Sequence, residues 1–233
     1  ASRGLGDVYK RQTPTYTCVL PSDGREIKYR PFLVKEQKML TLAKESDDEK
    51  AVFEAVKELL SAVCITEIDS NELPIIDMEY LFLKVRSVSV GETSKVTTGC
   101  DAVDCKGSVE LIVNLNEIEA EGINDDGTVM INDDVGVVLT APKVKHVVVG
   151  DDDTLGLICK CVVRVFDNEN VYEATDMTDK DMLEFIESLT FKQLELITEF
   201  FDNLPKLSHE VEGKCNICDS TTKRTLEGIN TFF

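Results

Sequence analysis

Four of the eight cysteines fall into two close pairs: Cys100 and Cys105 in GCDAVDCKG, and Cys215 and Cys218 in KCNICDS. A CxxC turn aims two thiolates at one point, and two such turns complete a tetrahedral zinc site. The first pair has four intervening residues where the usual motif has two. An ion shared by all four would clip distant parts of the chain together, and its binding energy would add to folding. Free thiols in two surface turns are the competing reading. A thiol–disulfide redox motif is a third, weakened because CNIC opens no helix in a βαβ setting. No segment resembles an export signal, so a reducing compartment is expected, where thiols stay free or bind metal. Cys18, Cys64, Cys159 and Cys161 lie among apolar residues and suit core positions.

Other chemistry is sparse. The two histidines, His146 and His209, have no nucleophile pattern beside them, and G-x-S-x-G, HExxH, P-loop and GxGxxG signatures are all missing. The acidic turns Asn124-Asp125-Asp126-Gly127 and Asn132-Asp133-Asp134 lack the ligand spacing of a calcium loop, so plain turns are expected. No catalytic residue and no small-molecule substrate are assigned, and a non-enzymatic role is expected. The first twelve residues, ASRGLGDVYKRQ, resemble a cloning or sequencing scar. They carry +2, so the overall −19 leaves −21 on the remainder. That charge repels phosphate backbones and argues against nucleic-acid binding. No apolar run approaches the roughly 20 residues of a membrane span.

The elements that must position the cysteines are read from periodicity. Residues 16–29 form a β-hairpin around Pro21-Ser22-Asp23-Gly24. A first helix follows Pro31, with Met39, Leu42 and Ala43 on one face. Ser46 and Glu49 read as a capping box opening a second helix, whose face is Val52, Val56, Leu59, Leu60 and Val63. Leu73-Pro74 opens a third helix, carrying Ile75, Met78, Phe82 and Val85 and ending near Ser87. Val109, Leu111, Val113 and Leu115 alternate as a strand, and 128–131 and 135–139 read as two more. Asp151, Asp152 and Asp153 cap a following segment whose Leu155, Ile158, Cys159, Val162 and Phe166 repeat with helical period, although Val162, Val163 and Val165 favour a strand. Thr178 with Asp181 caps a helix, and Thr190 begins another with Phe191, Leu194, Ile197 and Phe201 on one face. A strand around 208–213 and an apolar turn or helix from Leu226 to Phe233 close the chain.

This order predicts an α+β fold: a central antiparallel β-sheet flanked by N-terminal and C-terminal helices, clipped by a zinc-ribbon-like cysteine cluster. The segments are the leader 1–12, a hairpin and helical region 13–90, a central β region 91–150, and a helical region 151–233 with the CxxC tail.

KYRPFLVKEQKMLTLAKESDDEK resembles the opening of the baseplate hub subunit family of T-even-type, contractile-tailed bacteriophages. MEYLFLKVRSVSVGE, INDDVGVVLTAPKV, DKDMLEFIESLTFKQLELITEFFDNLPKL and LEGINTFF are similar to later segments of that family, in the same order. Thr140-Ala141 depart from the lysine and tyrosine that the family places before a proline. The resemblance implies a structural or assembly role among other baseplate hub proteins, with assembly in the host cytoplasm and residence in the tail baseplate. It implies no zinc site; the cysteines stand on their own spacing. A zinc-ribbon-containing assembly chaperone or adaptor that leaves the finished particle, and a thiol-dependent enzyme, are the rival classes. The Phe200-Phe201 helix end, with Phe232 and Phe233, is the candidate contact surface, with core packing as the alternative.

Overall fold

The computed structural model describes residues 13–46, 48–121, 126–148 and 154–228. Helices and small antiparallel sheets make it an α+β protein, and the described residues divide into two compact units. Of the described residues, the first unit takes 13–46, 48–70, 76–121 and 206–228; the second takes 71–75, 126–148 and 154–205.

In the first unit β1 (Tyr16–Val19) pairs with β2 (Glu26–Tyr29) as the expected hairpin, burying Cys18, Ile27 and Tyr29. Helices α1 (Val34–Glu45) and α2 (Glu49–Val63) follow. In α2 the predicted stripe is right: Val56, Leu59, Leu60 and Val63 are fully buried. Its cap is not Ser46, which ends α1 with its hydroxyl donating to the Ala43 carbonyl. Asp48 caps α2 by accepting from the Lys50 N–H at 3.0 Å. In α1 the buried positions are Glu36 and Leu40, whereas Leu42 is 66% exposed. Glu36 is held inside by the Leu33 N–H (2.6 Å) and the Arg30 guanidinium (3.1 Å), so a carboxylate takes a place the apolar count gave elsewhere.

Helix α3 (Ile75–Val90) runs one turn beyond the expected end. Ile76, Asp77, Met78, Leu81, Phe82, Leu83, Val85 and Ser87 are all buried, so it is covered on nearly every side and forms the centre of this unit. Strands β3 (Thr93–Gly99) and β4 (Ser108–Asn114) pair along their whole length. Val109, Leu111 and Val113 of β4 point inward, and each such side chain contributes about 1.5–3 kcal/mol on burial. They pack with Leu207 and Val211 of β10 (Lys206–Lys214) and Leu226 of β11 (Thr221–Glu227). These last strands form a three-stranded sheet with β5 (Glu119–Glu121) in the order β11-β10-β5. Leu226 is therefore on a strand, not in a terminal helix.

In the second unit β6 (Thr128–Met130), β7 (Gly136–Leu139), β8 (Val162–Phe166) and β9 (Val171–Glu173) form one antiparallel sheet in sequence order. Four helices accompany it: α4 (Val144–Val148), α5 (Thr154–Cys161), α6 (Asp179–Glu187) and α7 (Phe191–Asn203). The ambiguous segment is helix and strand in succession. It switches at Cys161/Val162, where the β-branched run begins. Thr178 and Asp181 form the expected capping box, and Thr190 forms a second one with Gln193. Ile197 and Phe200 face the core with Val137, Val165, Met182 and Ile186. Phe191 is 90% exposed, whereas Phe200 is buried edge-on to Phe201 at 5.2 Å, so that pair is core rather than contact surface. Asn132 accepts from the Asp134 and Val135 N–H groups at 2.8 Å, a plain side-chain-closed turn as expected. The leader, Asn124, Asp125, Asp151–Asp153, Phe232 and Phe233 lie outside the described residues.

Candidate metal centre

Both cysteine pairs sit at ends of paired strands in the first unit. Cys100 and Cys105 lie in the loop joining β3 to β4, and Cys215 and Cys218 in the turn joining β10 to β11. The two turns are pinned together at their bases. Cys215 makes an isolated bridge to Val109; the Asn216 N–H donates to the Ser108 carbonyl at 3.1 Å, and the Asn216 side-chain oxygen accepts from the Ser108 N–H at 3.0 Å. Arg224 of β11 grips Asp101 with both Nη atoms, at 2.7 and 2.6 Å.

The four sulfurs lie within 4.8 Å of one another. Cys100 and Cys218 are 3.5 Å apart at Sγ, and Cys105 and Cys215 are 3.7 Å apart. All four predicted residues are thus brought together, across a long separation that spacing alone could not resolve. Cys215 is buried, Cys100 and Cys105 are half-buried, and Cys218 is exposed.

Backbone geometry makes the convergence workable. The N–H two residues on donates to sulfur in three cases, each at 3.4 Å: Ala102 to Cys100, Gly107 to Cys105 and Ile217 to Cys215. Asp104 and Asp219, one in each turn, are the non-glycine residues with positive φ among the described residues, at 61° and 57°. Aspartate tolerates that left-handed conformation better than most residues. At Gly107 a Cβ would stand 2.3 Å from the Cys215 sulfur, so only glycine lets the loops approach this closely.

The thiols do not titrate alike. Hydrogen bonds from the Ser220 hydroxyl and N–H pull Cys218 down to about 6. Cys215 is also lowered, first by the Cys218 N–H and then by that of Ile217. Cys105 is pushed up to about 12: the Gly107 N–H lowers it, but Cys218, burial and Cys215 together outweigh that. Four sulfurs in one small volume with backbone donors behind them make a donor set of the kind that holds a soft tetrahedral ion.

A Cys–His contact in the second unit went unseen in the sequence. The Cys161 sulfur is 3.8 Å from Nδ1 of His146, which also accepts from the Lys143 N–H at 3.3 Å. Burial pushes Cys161 up to about 12. Burial, then Lys145 and Lys143, lowers His146. Both groups are held neutral, the opposite of a reactive thiolate–imidazolium pair. His209 lies within β10 opposite Leu226, inside the strand expected around 208–213.

A family model described as T4 bacteriophage base plate protein matches residues 13–233. The chain belongs to that family. No curated protein and no solved structure matches it. A T4-type baseplate protein is a structural protein of the phage tail, located in the baseplate and in contact with other phage proteins. Among the described residues no helix is long and apolar enough to cross a membrane.

Proposed function

We propose that this baseplate protein is a structural or assembly component of the baseplate hub, acting by contacts with other hub subunits and turning over no substrate. The observation that carries this reading is the family match across residues 13–233, taken with the resemblance of the segments opening at Tyr29-Arg30-Pro31-Phe32 to hub subunits. The chemistry is consistent with it. The Cys161–His146 pair is held in unreactive protonation states. Apolar side chains stand in solvent where a partner can cover them: Phe191 at the start of α7, and Val103 (92% exposed) and Ile217 (70%) at the tips of the cysteine turns.

Co-expression with each of the other hub proteins encoded by the same phage, followed by size-exclusion chromatography, tests the proposal. A stable complex with at least one hub subunit is expected, weakened by Phe191→Asp or Ile217→Asp. Elution of the chain alone in every combination would overturn it. The chaperone alternative separates from a resident subunit at a later stage: a chaperone is found on hub intermediates and missing from finished tails.

A further inference from the structure

We infer that Cys100, Cys105, Cys215 and Cys218 bind one structural zinc ion as four thiolates, joining the β3–β4 loop to the β10–β11 turn. The inference stands on this chain's own geometry and does not depend on the hub reading. Four sulfurs about 2.3 Å from a common ion stand about 3.8 Å apart. The Cys100–Cys218 and Cys105–Cys215 separations, 3.5 and 3.7 Å, lie close to that edge, and no pair exceeds 4.8 Å. A disulfide needs about 2.05 Å between sulfurs, well short of either separation.

The surroundings match the needs of a tetrathiolate centre. Zinc bound by four thiolates carries a net negative charge, and donors to the sulfurs must disperse it. Here the N–H groups of Ala102, Gly107 and Ile217 each point at a ligand sulfur from two residues downstream. The same N–H-to-sulfur geometry occurs in both turns, and each turn holds an aspartate at positive φ next to a cysteine. Gly107 gives the clearance that brings Cys105 to Cys215. Binding releases thiol protons, and the ion replaces sulfur–sulfur crowding by four bonds of one length. The site is closed, so zinc here serves folding rather than catalysis.

The test is metal analysis of the full chain purified under reducing conditions without chelator or affinity metal. One zinc per chain is expected by elemental analysis. Replacing it with cobalt should give the intense blue-green absorption of a tetrahedral tetrathiolate. A mercurial thiol reagent should release one equivalent of zinc, and in a separate sample these four cysteines should resist alkylation until a chelator removes the metal under denaturing conditions. Cys215→Ser with Cys218→Ser should reduce zinc to background, whereas Cys64→Ser should retain it. Because the double variant is at risk of not folding, zinc release and alkylation of the unmodified chain carry the decision. Absence of metal with all four thiols freely alkylated would overturn the inference. So would Cys100–Cys218 and Cys105–Cys215 disulfides in the freshly purified chain, or iron in place of zinc.

Discussion

Replacing Gly107 by alanine probes the closest approach in the cysteine cluster. The added Cβ would stand 2.3 Å from the Cys215 sulfur, 3.0 Å from the Asn216 side-chain oxygen and 3.3 Å from the Cys105 sulfur. The first distance is far inside contact, and Cys215 is buried and tied to Val109, so the turn has little freedom to withdraw. Overpacking of this kind costs about 1–3 kcal/mol. In a chain of this size each kcal/mol moves Tm by about 2–4 °C, so a fall of roughly 2–12 °C is expected by thermal melting followed by circular dichroism. Gly99, at the other side of the same loop, supplies the control. A Cβ there meets nothing within 4 Å, and Gly99→Ala should stay within about 0.5 kcal/mol of the parent. Zinc content should follow the same order, lowered in Gly107→Ala and unchanged in Gly99→Ala. Equal melting and equal zinc in the two variants would show that the turns do not meet as described.

Further expectations are local. Asp48→Ala should cost about 1 kcal/mol by removing the α2 cap, while Ser46→Ala should change stability by less than about 0.5 kcal/mol; urea titration separates the two, and the reverse order would restore Ser46 as the cap. Leu111→Ala, in the β4 core, should cost about 2–5 kcal/mol against near neutrality for exposed Ile112→Ala, and a swapped order would place β4 in the opposite register. Asp77 is fully buried, and burial raises its carboxyl above the ordinary 3.8 more than the Ser22 N–H and hydroxyl lower it. A raised acid favours the folded state while protonated, so Asp77 should draw stability down as pH rises from 3.8 through its folded value. Asp77→Asn keeps an acceptor for the Ser22 N–H and should flatten that part of the pH–stability curve; superimposable curves would contradict the assignment.

How much of this was readable from the chain depended on how local the deciding physics is. The stripe of α2, the alternation of β4 and the Thr178 capping box follow from side-chain period and neighbouring hydrogen bonds, and all three hold. The cap at Asp48 was misplaced because Ser46 satisfies the same short motif, and only the end of α1 assigns Ser46 to the preceding helix. Strand β11 was missed because its inward positions are Thr222, half-buried Arg224 and Leu226, a mostly polar alternation too weak to compete with the apolar residues after it. Phe191 was placed on the buried stripe because helical period gives a stripe but not its rotation against the sheet. The cysteines were identified by type and spacing. Their convergence rests on the Val109–Cys215 bridge and the Asn216 contacts to Ser108, which no sequence window contains.

The role among the hub subunits is tested most directly by quantitative mass spectrometry of baseplate hub intermediates and finished tails isolated from infected cells. This chain is expected at a fixed ratio to the other hub proteins in the intermediates, released only when the hub itself is dissociated. Its absence from hub intermediates, with the protein recovered free in the lysate throughout infection, would contradict it.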